Sequence, residues 1–393
     1  MVFGALITRW LRRQRWAIAM GAFAAMAVHN HSIESSRKTY EHSIHMAQCA
    51  VYILRKTCII AVRRLLGKSE HPYWSILDEI VVKVLGFSAR IGHVKASRNM
   101  IDGYASMQRL AAPLFGGHVS NVDLGLGKGS EDALWITQSS DTKLGSCPVI
   151  LYYHGGGYAT GNAGMYILAH TELLTLLEKK HGVKCGVLSI EYPLAPETKF
   201  PENLHFCYRA YDAVVGDFGV KPSSVVVGGD SAGGGLALGV AEHAFRRDKH
   251  EGIGALSGLV LFSPWMDHGV KSESHKLFLE TDFVAGPELL HDFSVSYAGN
   301  HELALTHPQI SPIHAEVDHL PPLMLTVGER EVFRDDIMRF KTKLHEAQKE
   351  VELHTGKETP HIYPLLWPLF RQEATSALTH VADYTARRLK SQS

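Results

Sequence analysis

The chain has 393 residues, 45% of them hydrophobic, with 40 basic and 40 acidic side chains that cancel to zero formal charge. That length and apolar content suit one large buried core with an appended helical segment. The charge balance, with no Lys/Arg stripe interleaved with aromatics, argues against a nucleic-acid partner and gives no reason to expect a strongly acidic one.

The first acidic residue is Glu34, and Arg9, Arg12, Arg13 and Arg15 precede an apolar run over 16–28. A helix spanning a bilayer needs ~20 residues, more than this run supplies. Residues 1–33 therefore form a basic, apolar segment with three readings: a signal-peptide core, an organelle-targeting helix, or an interfacial helix that anchors the chain to a membrane. Residues 34–117 are expected to be helical. Within them 41–67 reads as a basic amphipathic helix, in which Ile44, Val51, Leu54, Ile59, Val62 and Leu66 alternate with Arg55, Lys56, Arg63 and Arg64. It suits either a packed helix with a solvated basic face or a membrane-surface helix. The segment His71-Pro72-Tyr73-Trp74 is expected to open a further helix, and Gly116-Gly117 to close the region.

From 118 to 393 the pattern alternates. Strands are expected near 119–125, 132–137, 148–153, 185–190, 224–228, 257–262, 322–327 and 350–354, and helices near 163–180, 201–216, 233–248, 335–348 and 367–389. Such alternation predicts an α/β fold with a mostly parallel eight-stranded sheet covered on both faces. No helix separates the first two strands, so an antiparallel start is expected.

Two of these strands run into glycine clusters. Residues 148–153 lead into His154-Gly155-Gly156-Gly157-Tyr158, and Val225-Val226-Val227 leads into Gly228-Gly229-Asp230-Ser231-Ala232-Gly233. The second is a strand–turn–helix context that holds a serine on a strained corner as a nucleophile. A Cβ two residues to either side of that serine would collide with the neighbouring strand or helix. The first cluster lets backbone N–H groups approach a substrate oxygen. Gly156 and Gly157, joined by Ala232 after the serine, are read as an oxyanion hole. A plain glycine turn is the competing reading for the triplet in isolation. A phosphate site is disfavoured, because neither a Gly-Lys-Ser/Thr ending nor a Gly-x-Gly-x-x-Gly fingerprint with its downstream acid is present.

With His154-Gly155-Gly156-Gly157, Glu191-Tyr192-Pro193-Leu194-Ala195-Pro196-Glu197, Gly229-Asp230-Ser231-Ala232-Gly233 and the tail around His361, residues 115 to 390 resemble the hormone-sensitive-lipase-like group of α/β-hydrolases. Pro193 departs from the arginine common there. The resemblance implies a serine carboxylic-ester hydrolase with an N-terminal helical cap, continued by inserted helices near 270–310. Ser231 would be the nucleophile and His361 the base. His154, Gly155 and Asp230 would support the motifs. The resemblance lays the acid on Glu331, three residues after the glycine ending the strand at 322–327, with Asp335 as the alternative. No metal-ligand spacing and no cofactor motif is seen, so neither a metal nor a cofactor is expected.

The expected substrate is a small hydrophobic ester, a short acyl group on an apolar alcohol, as in the sterol-acetate deacetylases and secondary-metabolite esterases of fungi. A receptor-like binding protein and an acyltransferase are the competing functions. Activity is expected to fall as pH drops through ~6.5, where an ordinary imidazole charges. Cys49, Cys58, Cys147, Cys185 and Cys207 are scattered and odd in number, so buried free thiols and a reducing compartment are expected, cytoplasmic or at the endoplasmic-reticulum membrane.

Overall fold

A computed structural model describes residues 51–390, except 53, 72, 92–93, 128 and 285. The segment 1–33, the first part of the expected helix 41–67, and Cys49 lie outside the described residues. Eight strands form one sheet: β1 His118–Val122, β2 Ala133–Thr137, β3 Val149–Tyr153, β4 Gly186–Ile190, β5 Val225–Asp230, β6 Gly258–Phe262, β7 Leu323–Gly328 and β8 Val351–Gly356. Their order is β1-β2-β4-β3-β5-β6-β7-β8. β2 runs antiparallel to both β1 and β4, and every other pair is parallel.

The apolar runs of β3 to β7 are buried along their whole length, as a sheet covered on both faces requires. Side chains alternate between two cores. Val149, Leu151 and Tyr153 pack on one face with Ala210, Val214 and Val240. Ile150 and Tyr152 pack on the other with Ile167, Leu173 and Val381. The covering helices, in chain order, are α1 Ile76–Ile91, α2 Val94–Ala111, α3 Ile167–His181, α4 Glu202–Gly216 and α5 Ser231–Glu251. After β6 come α6 Ser274–Leu277, α7 Pro287–Ala298 and α8 His301–Thr306, then α9 Arg334–Glu346 and α10 Arg371–Lys390. α3 and α10 lie over one face, and α4, α5 and α9 over the other.

His71, Tyr73 and Trp74 are not helical. α1 starts at Ile76 behind a reciprocal cap: the Ser75 N–H donates to Asp78 Oδ2 at 2.8 Å and the Asp78 N–H to Ser75 Oγ at 3.1 Å. Before it, 51–52 and 54–65 are helical, but their apolar side is not wholly packed. Ile60 is buried, whereas Val51, Leu54, Val62, Leu65 and Leu66 are exposed. α6, α7 and α8 lie between β6 and β7.

Among the described residues no helix is long and apolar enough to cross a membrane. No three of His, Cys, Asp and Glu are grouped there as metal ligands would be. Cys58, Cys147, Cys185 and Cys207 are free, the first exposed and the last two buried.

Candidate active site

The carboxyl ends of adjacent parallel strands bring distant segments together, because their last residues sit side by side in register. Asp230 on β5 pairs with Phe262 on β6, and Phe262 with Thr326 on β7. The loops that follow carry Ser231, Ser263 and Glu331. This edge is where open α/β sheets bind ligands.

Ser231 is the corner between β5 and α5. Its φ of 50° lies in the left-handed region that side chains other than glycine rarely adopt. Neighbouring glycines permit the corner. A Cβ on Gly233 would overlap the Tyr153 and His154 carbonyl oxygens, and one on Gly229 the Gly233 carbonyl.

The glycine triplet lies against the serine, so closely that a Cβ on Gly155 would be 3.0 Å from that of Ser231. Asp230 fixes this loop. Its Oδ1 accepts from the Gly155 N–H at 2.9 Å and Tyr152 OH at 2.8 Å, and its Oδ2 from Tyr166 OH at 2.8 Å. Burial pushes the Asp230 carboxyl up to about 6 against the pull of those donors, which favour the anion. Tyr192 stacks on His154, and its OH donates to the His154 carbonyl at 2.7 Å. Gly156 and Gly157 have φ of 110° and 62°. The Phe293 ring of α7 covers the second: a Cβ on Gly157 would be 2.6 Å from Phe293 Cδ2.

Glu331 and His361 are both buried, with Glu331 Oε1 3.9 Å from His361 Nδ1. Glu331 Oε2 accepts from the Ser263 hydroxyl at 2.6 Å and the Gly328 N–H at 2.9 Å, which orients the other oxygen toward the imidazole. Ser263 Oγ in turn accepts the Ile362 N–H at 3.0 Å, tying the histidine loop to the same hydroxyl. Burial by itself would depress the His361 pKa. The carboxylates of Glu331, Asp282 and Asp230 outweigh it and raise the imidazole above its ordinary value. The acidic fall in activity is therefore expected above pH ~6.5 rather than at it, because the ring keeps its proton to higher pH. A kcat/KM profile flat from pH 8 to pH 6 would contradict this.

Asp335, the alternative acid, is occupied elsewhere: it pairs with Arg334 at 2.9 Å and accepts the Ser274 N–H at 2.9 Å. Asp267, next to His268, closes a turn by accepting the Gly269 N–H at 2.7 Å.

Sequence reasoning missed three contributors. Ser263 had a usable signal, since it directly follows β6 at the sheet's functional edge. Asp282 and Phe293 had none, because both sit in the insertion and reach the site only through the tertiary fold. A groove of about 1070 Å³, lined by Trp74, Phe115, Lys179 and Trp367 among others, opens on the α3 side and includes none of Ser231, Glu331 and His361.

Residues 150–365 match the profile of a family described as alpha/beta hydrolase fold. The chain is 30% identical to an esterase of Acinetobacter venetianus over 63% of its own length and 76% of the relative's. It is 29% identical to an acetyl-hydrolase of Streptomyces hygroscopicus, covering 56% of this chain and 69% of that one. Among solved structures it is similar to an esterase from the bacterial hormone-sensitive lipase family, with 25% identity, a TM-score of 0.64, and 77% and 94% of the two chains covered. A hormone-sensitive lipase from a metagenome library aligns with a TM-score of 0.62 at 25% identity, covering 79% and 98%.

Proposed function

Because this chain belongs to the α/β-hydrolase fold family, as a hormone-sensitive-lipase-like carboxylic-ester hydrolase, we propose that Ser231, His361 and Glu331 cleave a short acyl ester of a hydrophobic alcohol through an acyl-enzyme. The observation that carries this reading is the serine at φ 50°, on a buried corner against the glycine loop, at the same sheet edge as the loop after β7 that sets Glu331 3.9 Å from His361.

Free serine is a weak nucleophile, so His361 takes its proton as Oγ attacks the acyl carbon. Glu331 holds the imidazole and offsets the positive charge it acquires. The negative charge that develops on the carbonyl oxygen meets the N–H groups of Gly156, Gly157 and Ala232. Each such donor is worth about 3–4 kcal/mol of barrier. His361 then returns the proton to the departing alcohol, and water hydrolyses the acyl-enzyme by the same steps.

The acyl side is read as short because Phe293 packs against Gly157 and narrows the space beside the glycine loop. The similarity to a protein named an acetyl-hydrolase points the same way. The apolar alcohol is read from the sequence's lack of a charged substrate patch, and acetates of sterols or secondary metabolites are the natural class to try first. The N-terminal segment 1–33, basic and apolar, is read as a membrane-associating element that would keep the protein near such substrates.

A panel of p-nitrophenyl esters of increasing chain length tests the proposal. Turnover is expected to be highest at roughly two to four carbons, as suits a pocket closed by one aromatic ring. Failure to turn over any ester would sink the catalytic reading in favour of a ligand-binding role. Phe293→Ala is expected to move the optimum to longer acyl chains by removing the ring from above Gly157. An unchanged chain-length profile would show that the ring does not limit the acyl group.

A further inference from the structure

Asp282 is a buried carboxylate beside this centre that the mechanism above leaves unused. It lies in the insertion between α6 and α7, at 2% exposure, on a turn whose N–H bonds back to the Phe278 carbonyl at 2.8 Å. Every hydrogen bond of its side chain is received from a backbone N–H. Oδ1 accepts from Phe283 at 2.8 Å and from His361 at 3.1 Å, and Oδ2 accepts from Val332 at 2.9 Å. Those donors belong to three segments: the insertion itself, the loop that bears the imidazole, and the loop that bears Glu331.

Three donors and no acceptor define what this site can hold. A carboxylate presents an acceptor at both oxygens, whereas an amide must turn an NH2 group toward one set of N–H groups. Burial pushes the Asp282 carboxyl up to about 6, with the Glu331 charge adding to that and His361 opposing it. A protein would tolerate such a buried charge where the hydrogen bonds it gathers are needed.

We propose that Asp282 is a positioning residue for His361, its carboxylate locking the histidine loop and the acid loop into one register and reinforcing the imidazolium that forms during turnover. The inference rests on His361 being the base and Glu331 its acid. The loop is held at successive residues: Asp282 binds the N–H of His361, and Ser263 binds that of Ile362. The rings of Phe333 and Phe283 lie against the imidazole, with centroids 5.1 and 5.9 Å away, so the side chain is confined once its backbone is fixed. The titratable groups that face His361 are Glu331, Asp282 and Asp230. From the packed α1, Lys83 is committed to the Glu280 carbonyl.

The test is Asp282→Asn in the full chain, assayed with a short p-nitrophenyl ester beside the wild type, Ser231→Ala and His361→Ala. Asparagine keeps the volume but cannot accept at both ends. kcat is expected to fall by about 100-fold with KM little changed, because a small misplacement of the base costs on that order. The acidic limb of the kcat/KM profile is expected to move to lower pH, since a negative charge beside the imidazolium is gone. A merely structural role would lower activity without moving that limb.

Wild-type kcat and an unmoved limb in Asp282→Asn, with the serine and histidine variants inactive, would overturn the positioning role and leave the triad standing. Full activity in His361→Ala would instead remove the reading on which it rests. Should the variant not fold, amide hydrogen exchange on the wild-type protein decides: the His361 and Val332 N–H groups are expected to be protected although both lie in loops, and rapid exchange at both overturns the proposal.

Discussion

Replacing Ser231 with alanine is expected to lower kcat for ester hydrolysis by about 10⁶-fold, the scale seen when a serine nucleophile is removed from a working triad. The loss is expected to fall on the chemistry and not on the fold. The hydroxyl is the only group deleted, and the main-chain bond in which the Ser231 carbonyl accepts the Trp265 N–H at 2.9 Å stays in place. Alanine at φ 50° carries no more strain than serine does. The melting temperature should therefore stay close to that of the wild type. Mass spectrometry after treatment with an organophosphonate should find the adduct at Ser231 in the wild type and no adduct in the variant. Residual hydrolysis above a hundredth of the wild-type rate would mean that another group attacks the ester.

The second large effect is on stability. Gly233→Ala adds a methyl group where the Tyr153 and His154 carbonyl oxygens already stand, closer than any real Cβ approaches such atoms. Both oxygens belong to the backbone where β3 runs into the glycine loop, so no side chain can swing aside. The first turn of α5 or the end of β3 has to shift, and the glycine loop moves with it. A cost above about 4 kcal/mol is expected, which belongs to the small class of severely destabilising substitutions. Urea denaturation checks it: the midpoint should collapse, or the protein should not accumulate folded. Alanine tolerated at 233 with an unchanged midpoint would mean that the elbow packs less tightly than described.

The strands were legible because each is a short apolar run bounded by turn residues, and all eight lie within a few residues of where the pattern puts them. β8 extends to Gly356, beyond the expected 354, because its pairing with β7 continues through Val327↔Thr355 and Gly328↔Gly356. No local pattern in Thr355 or Gly356 signals that pairing. α5 begins at Ser231 and not at 233, running straight through Gly233, Gly234 and Gly235. Glycine is a poor helix former, and here close packing against β3 and Pro264 decides the matter. The last helix starts at Arg371 and not at 367, because residues 361–370 are spent on turns, ending where Asp78 of α1 accepts the Phe370 N–H at 3.1 Å.

The site divides in the same way. Residues in dense local motifs, Ser231 and Gly155 to Gly157, announce themselves in the sequence. Glu331 and His361 could be assigned only through the resemblance and the order of elements. Ser263 and Asp282 act through hydrogen bonds spanning 68 and 79 residues, and no window of sequence contains both partners.

Phe293 belongs to α7 and is absent from the eight-stranded sheet, and this separates two kinds of evolvability. On the proposed reading the side chain that limits the acyl group hangs from a detour in the chain, on a helix whose other face joins the core through Leu290, Tyr297 and Ala298. Variation at Phe293 that spares the buried Leu290, Ser294, Tyr297 and Ala298 of the same helix can thus retune which esters are accepted at little cost in unfolding free energy. Directed libraries at Phe293 that leave those four core positions unchanged should recover altered selectivity without a matching loss of thermal tolerance.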